Sequence, residues 1–158
     1  MERKEHAPLT GPIIAGPGSP AIHAAGTSLV VHEWTDSGPS YLHVHRSDDE
    51  AWHVLQGALR FRFPDREVDA LAGTTVFVPA GSPHTYRVVE PGSRYLILLT
   101  PRLDRLIAKL RSLPKGSDVR ATLAEFDTEM VEQDPCRDRS GPPAREVDDL
   151  TGREARPA

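Results

Sequence analysis

Between about residues 27 and 100 the chain is cut into short apolar runs closed by turn residues, and this limits its fold more than any other feature. TSLVVHEW is followed by the turn TDSGPS. YLHVH, AWHVLQG and ALRFRF come next, the last two hinged at Gly57. FPDRE is a turn, VDAL a short run, and TTVFVP another, ended by PAGSP. HTYRVV, the turn EPGS and RYLILLT complete the series. Seven or eight short strands at roughly ten-residue spacing predict an antiparallel sandwich or barrel. A closed or two-sheet arrangement would protect the edges of so many short strands.

At Pro101 the period changes. Leu103, Leu106, Ile107, Leu110 and Leu113 step at three or four residues, one face of an amphipathic helix stopped by Pro114 and Gly116. A second helix is expected from about 118 to 132, with Val119, Leu123, Phe126 and Met130 on one side. Both stripes are expected to pack on the barrel or on a second copy. The expected organisation is an extended arm over 1–25, a barrel over 26–101, helices over 102–132 and a disordered tail over 133–158. In the arm, Ile13 and Ile14 would pack on a barrel wall or a partner. His6 and His23 carry no expected role.

Composition narrows the function. The net charge is −4, which does not suit a binder of the phosphate backbone. Sixteen of the 19 basic residues are Arg, but they are scattered and many lie in the tail, so no anion-binding patch is read from them. The one cysteine, Cys136, rules out an intramolecular disulfide and reads as an incidental thiol. No apolar run approaches membrane-spanning length, and MERKEHAPLTGP lacks the apolar core of a secretion signal. The cytoplasm is the expected compartment.

Strand parity selects the residues that carry chemistry. In a strand, i and i+2 share a face. His43 and His45 therefore project together, with Tyr41 beside them. If Glu50 faces inward in the next strand, so do Trp52, Val54 and Gln56, while His53 faces away. Asp48 and Asp49 read as solvated residues of the intervening turn, and His32 and His53 as wall residues. Downstream, His84 stands at the start of a strand and shares a face with Tyr86.

Two spaced patterns then stand out. Gly38-x4-His43-x-His45-x4-Glu50-x6-Gly57 resembles the first cupin motif, and Gly73-x5-Pro79-x-Gly81-x2-His84 resembles the second. The resemblance covers about residues 27 to 100. It departs from the family pattern twice: four residues rather than five separate Gly38 from His43, and Val88 stands where Asn is common. The resemblance implies a double-stranded β-helix or jelly-roll barrel, so the expected fold is an all-β core followed by the one or two C-terminal α-helices read from the apolar period. It implies metal ligands at His43, His45, Glu50 and His84. Three imidazoles and a carboxylate suit one divalent first-row metal: iron, manganese, nickel, cobalt, copper or zinc.

Tyr41, Trp52 and Tyr86 are the expected substrate-pocket residues. Tyr86 could donate a hydrogen bond to a bound oxygen, and Glu50 could accept a proton. The resemblance to quercetin-dioxygenase-like cupins implies a metal-dependent oxidoreductase acting on a small phenolic or enolic molecule. An isomerase or cyclase, or a non-catalytic binding cupin, are the alternatives. The expected partners are a small-molecule substrate and a second copy of the chain, with neither nucleic acid nor membrane.

Overall fold

The alternation of apolar residues becomes strand register in the computed structural model, which describes residues 9–132. The elements in chain order are β1 (His23–Ala25), β2 (Val30–Trp34), β3 (His43–His45), β4 (Glu50–Gln56), β5 (Ala58–Arg62), β6 (Glu67–Leu71), β7 (Thr75–Val78), β8 (Thr85–Val88), β9 (Arg94–Leu99), α1 (Pro101–Ser112), α2 (Arg120–Ala124) and β10 (Thr128–Met130). Cys136, His6 and the expected C-terminal tail lie outside the described residues.

One sheet has the order β1-β2-β9-β4-β7. The other is assembled from two pieces, β6-β5-β8 and β10-β3. A single antiparallel bridge, His43 to His84, joins them: each residue's N–H donates to the other's carbonyl, at 3.1 and 2.8 Å. All strand pairs are antiparallel. The inner faces meet through aromatic rings. Trp52 of β4 lies 5.0 Å from Phe61 of β5, and Tyr86 of β8 lies 5.6 Å from Tyr95 of β9. This is the double-stranded β-helix expected from the sequence. Its core is Val30, Val54, Leu59, Ile97 and Leu99 around those rings. Truncating one such aromatic would cost about 3–5 kcal/mol.

Two glycines hold positions that only glycine fits. A Cβ on Gly38 would stand 2.6 Å from the Tyr86 ring. Gly57, with φ +75, makes the hinge between β4 and β5, and a Cβ there would strike Ser93 Oγ at 2.3 Å.

Helix α1 begins as its sequence dictates. Thr100 caps it by accepting from the Leu103 N–H, and Pro101 occupies the first turn, where no donor is needed. Leu103 and Leu106 are buried.

Four expectations change. First, the second helix is only five residues long, and Thr128–Met130 is a strand. Asp127 adopts φ +54, which ends the helical path. The chain then pairs with β3, Thr128 opposite His45 and Met130 opposite His43. The open edge of β3 has backbone donors and acceptors to satisfy, and this outweighs a weak local helical period. Second, Gln56 does not face inward. The β4–β9 register shifts between Val54 and Gln56, and Gln56 is exposed. Third, Asp48 is not solvated. It is buried and accepts from Thr100 Oγ1 at 2.7 Å and Arg102 Nε at 2.8 Å. Fourth, the arm ends in a paired strand, β1, where His23 opposes His32. Ile14 does not pack on the barrel, since it is 93% exposed, and Ile13 is half covered. The departure at Val88 leaves pairing intact, since Val88 sits opposite Leu59 and its N–H donates to Ser37 Oγ at 3.0 Å.

Candidate metal centre

Each candidate ligand is placed by a different local rule. β3 alternation turns His43 and His45 to one side of Val44. Glu50 opens β4, where the turn over 46–49 returns the chain. Asp49 Oδ1 fixes that turn by accepting from the Ala80 N–H at 2.9 Å. His84 stands just before β8, held against His43 by their bridge. The four are buried, and one ligand atom from each lies within 4.8 Å of the others.

The outer nitrogens of the three rings decide what the inner ones present. His84 Nδ1 donates to the Ser82 carbonyl at 3.0 Å. His43 Nδ1 faces the Tyr41 carbonyl at 3.4 Å. His45 Nδ1 lies 2.8 Å from Thr128 Oγ1. The Thr128 hydroxyl gives its own proton to the Phe126 carbonyl at 3.2 Å, so it accepts from His45. All three outer nitrogens are thus donors, and in the neutral rings every Nε2 carries a lone pair. Glu50 Oε2 stands 3.3 Å from His45 Nε2 and 3.2 Å from His84 Nε2. In the metal-free cluster protons on these nitrogens bridge them to Glu50, and in the neutral rings the same lone pairs are free to ligate an ion. The donor set therefore fits a divalent first-row metal.

The electrostatics agree. Burial lowers the His43 pKa to about 3, with His84 and His45 adding to the effect, so His43 is held neutral. Burial pushes the Glu50 carboxyl up, but hydrogen bonds from His45 and His84 outweigh it and hold the pKa at about 2. A neutral imidazole and an ionised carboxylate are the forms that ligate metal.

The cluster opens into a cavity of about 260 Å³. Tyr41, Trp52 and Tyr86, all three expected from the sequence, line it. Trp34 and Ile97 add to the barrel side. The inward stripe of α1, expected only to pack, forms a second wall with Leu103, Leu106, Ile107 and Leu110, and Arg111 lies at its end. Parity along β2 and β9 would have found Trp34 and Ile97, but nothing in the sequence set α1 over the cluster. Of the other histidines, His32 bonds Asp104 at 3.0 Å and His53 bonds Thr75 at 2.8 Å, both away from the centre.

Tyr86 is tied into a chain. The Tyr95 hydroxyl donates to the Asp36 carbonyl, which leaves Tyr95 to accept from Tyr86 at 2.8 Å. Burial raises the pKa of Tyr86, so it stays a neutral phenol. Burial raises the half-buried Tyr41 as well.

Residues 29–99 match the model of the cupin domain family, Cupin_2. This segment is a cupin domain. Solved structures of similar fold include a cupin-2 domain protein from Shewanella frigidimarina, at 21% identity over 54% of this chain and 82% of that one, with a TM-score of 0.44. KdgF from Halomonas sp. is 22% identical over 54% of this cupin and 81% of its own chain, at a TM-score of 0.46. The polyketide cyclase RemF from Streptomyces resistomycificus is 26% identical over 48% and 56%, at 0.39. No curated protein matches the chain by sequence. Among the described residues, no helix is long and apolar enough to cross a membrane.

Proposed function

We propose that this cupin is a mononuclear metal enzyme, dioxygenase-like, acting on a small phenolic or enolic molecule. One observation carries the reading: three imidazole nitrogens and a carboxylate converge on the floor of an otherwise largely apolar cavity. His43, His45, Glu50 and His84 would hold the metal. Bound there, a first-row divalent ion would supply a Lewis acid and, where redox-active, a route to dioxygen chemistry.

The protein's own residues would bind and orient. Tyr41, Trp52 and the leucines of α1 offer an apolar, water-excluding sleeve for a planar ligand. At about 260 Å³ the cavity is at the small end of small-molecule sites. Tyr86, expected from the sequence to donate, gives its proton to Tyr95 and would instead accept from a ligand hydroxyl. Apart from the ligands themselves, the titratable groups lining the cavity are two phenols with raised pKa and a guanidinium. Such a pocket is poorly equipped for general acid–base work, with Glu50 the one group able to accept a proton. That favours oxidative chemistry over isomerisation or cyclisation.

The test is metal analysis of the freshly purified full chain, then oxygen uptake against phenols, enols and diketones. Stoichiometric metal and oxygen consumption are expected, with Glu50→Ala and His84→Ala inactive but folded. Conversion without oxygen uptake would turn the reading to an isomerase or cyclase, and binding without conversion to a non-catalytic cupin. Full turnover by demetallated protein would refute it.

Pairing of two copies belongs to the same proposal. Val31, Leu98, Ala51 and Phe77 form one cross-strand row on the outer face of the five-stranded sheet, and Phe77 is 61% exposed. A monomeric mass by light scattering would reject it.

A further inference from the structure

Two charged features line the cavity. The buried four-donor cluster is one. The other is Arg111, the only Lys or Arg among the described residues that line the cavity. The rest of the lining is mainly aromatic and aliphatic. The Arg111 guanidinium carbon lies 4.4 Å from the centroid of the Trp34 ring, and Trp34 itself lines the cavity. Such stacking fixes the guanidinium plane and leaves its edge donors to bond within that plane.

Asp36 occupies one corner of that fork, accepting from Nη2 at 3.1 Å. The two side chains are 40% and 66% exposed, so the pair is screened and contributes little. A carboxylate arriving through the cavity could take the remaining donors or replace Asp36 at small cost. A planar fork is matched to a carboxylate in a way that a point charge is not.

We infer that Arg111 sets the specificity of the cavity, taking the carboxylate of a small acid whose opposite end carries oxygen donors for the four-residue cluster. The assignment rests on the metal-centred reading above and narrows its substrate class. The ligand has an apolar planar body, an enolic or phenolic end at the floor and a carboxylate at the rim. An uncharged phenol of the same shape would lack the rim contact.

Dihydrocaffeate, a catechol joined through two methylenes to a carboxylate, and its primary amide are suitable probes. Their dissociation constants would be measured by calorimetry on the full chain loaded with Zn²⁺, which does not oxidise catechols. The wild type should bind the acid about tenfold or more tightly than the amide, the scale of a charge-assisted pair. Arg111→Gln should bring the acid to the affinity of the amide and leave the amide unchanged. Asp36→Asn, an exposed substitution that removes the competing carboxylate, should tighten the acid severalfold and not the amide. Equal affinities on the wild type, discrimination surviving Arg111→Gln, or no gain in Asp36→Asn would each overturn the assignment. On chelator-stripped protein both probes should bind more weakly with the acid still preferred. No loss on stripping, with the preference intact, would overturn the metal-centred reading and leave Arg111 assigned. Failure of both probes in both states would overturn both.

Discussion

Thr128 Oγ1 accepts from His45 Nδ1 at 2.8 Å, across a sequence separation of 83 residues. The contact exists because β10 pairs with β3 and sets Thr128 directly opposite His45. It fixes the ring's tautomer and aims Nε2 at the centre. Thr128→Val should therefore weaken metal binding by about 10–100-fold with the barrel intact, and Thr128→Ser should keep most of it. Competition with a chelator of known affinity, beside circular dichroism, checks both. Equal affinity for the Val variant would show that the β3 backbone alone orients His45.

Acid should destabilise the metal-free protein, and the direction follows from two groups. The His43 pKa falls from 6.5 to about 3 on folding, so the unfolded chain takes up that proton first. Its contribution is complete above pH 6.5 and is lost as pH falls toward 3. The Glu50 pKa falls from 4.5 to about 2, so its contribution is complete above 4.5 and is lost as pH falls through that lower range. The signs agree. Urea unfolding at pH 5 should give a stability about 2 kcal/mol below that at pH 7.5, nearly all of it from His43. Metal-loaded protein should lose more, because acid also releases the ion. A flat stability across that range would contradict a neutral buried His43.

Asp48 ties the β3–β4 turn to the start of α1 through Thr100 and Arg102. Asp48→Ala removes a buried charge and frees the Thr100 hydroxyl. Because Arg102 is 35% exposed, its guanidinium can return to water, and the expected cost is about 2 kcal/mol rather than the larger loss of a fully buried pair. Chemical denaturation measures it. The same change loosens the turn that delivers Glu50, so metal affinity should fall in parallel. Unchanged stability would mean that the cap on α1 does not depend on Asp48.

Tyr86 faces the cavity but gives its proton to Tyr95. Tyr86→Phe leaves the Tyr95–Asp36 bond in place and keeps the ring stacked on Gly38 and Phe61. Metal content should be unchanged and affinity for a phenolic substrate should fall by about severalfold to tenfold, the scale of one lost acceptor for the substrate hydroxyl. An unaltered affinity would reduce Tyr86 to a wall residue.

Much of this was legible before any coordinates. Strand periodicity located β2 to β9, and parity brought His43, His45, Glu50 and Trp52 to one side while sending His53 to the other. It failed at Gln56, where the register shifts, because parity assumes an unbroken strand. Asp48 looked like one more acid in a polar turn. Its burial depends on Arg102, which lies 54 residues away. The helical period of Val119, Leu123, Phe126 and Met130 was real as a pattern, yet only five residues of it are helical.

The sequence by itself determined the strand alternation and the amphipathic face of α1, while the four donors were implied by the resemblance to the cupin motifs. Alternation and helical period depend on neighbours within a few residues, where backbone geometry leaves few choices. Tertiary structure alone decided which groups support the donors and what covers them. Thr128 at His45, Asp48 under α1, the Tyr86–Tyr95–Asp36 chain and Arg111 on Trp34 all join segments far apart in the chain. Such contacts form only when the closed sheets give every buried donor an acceptor, and no local pattern encodes that condition.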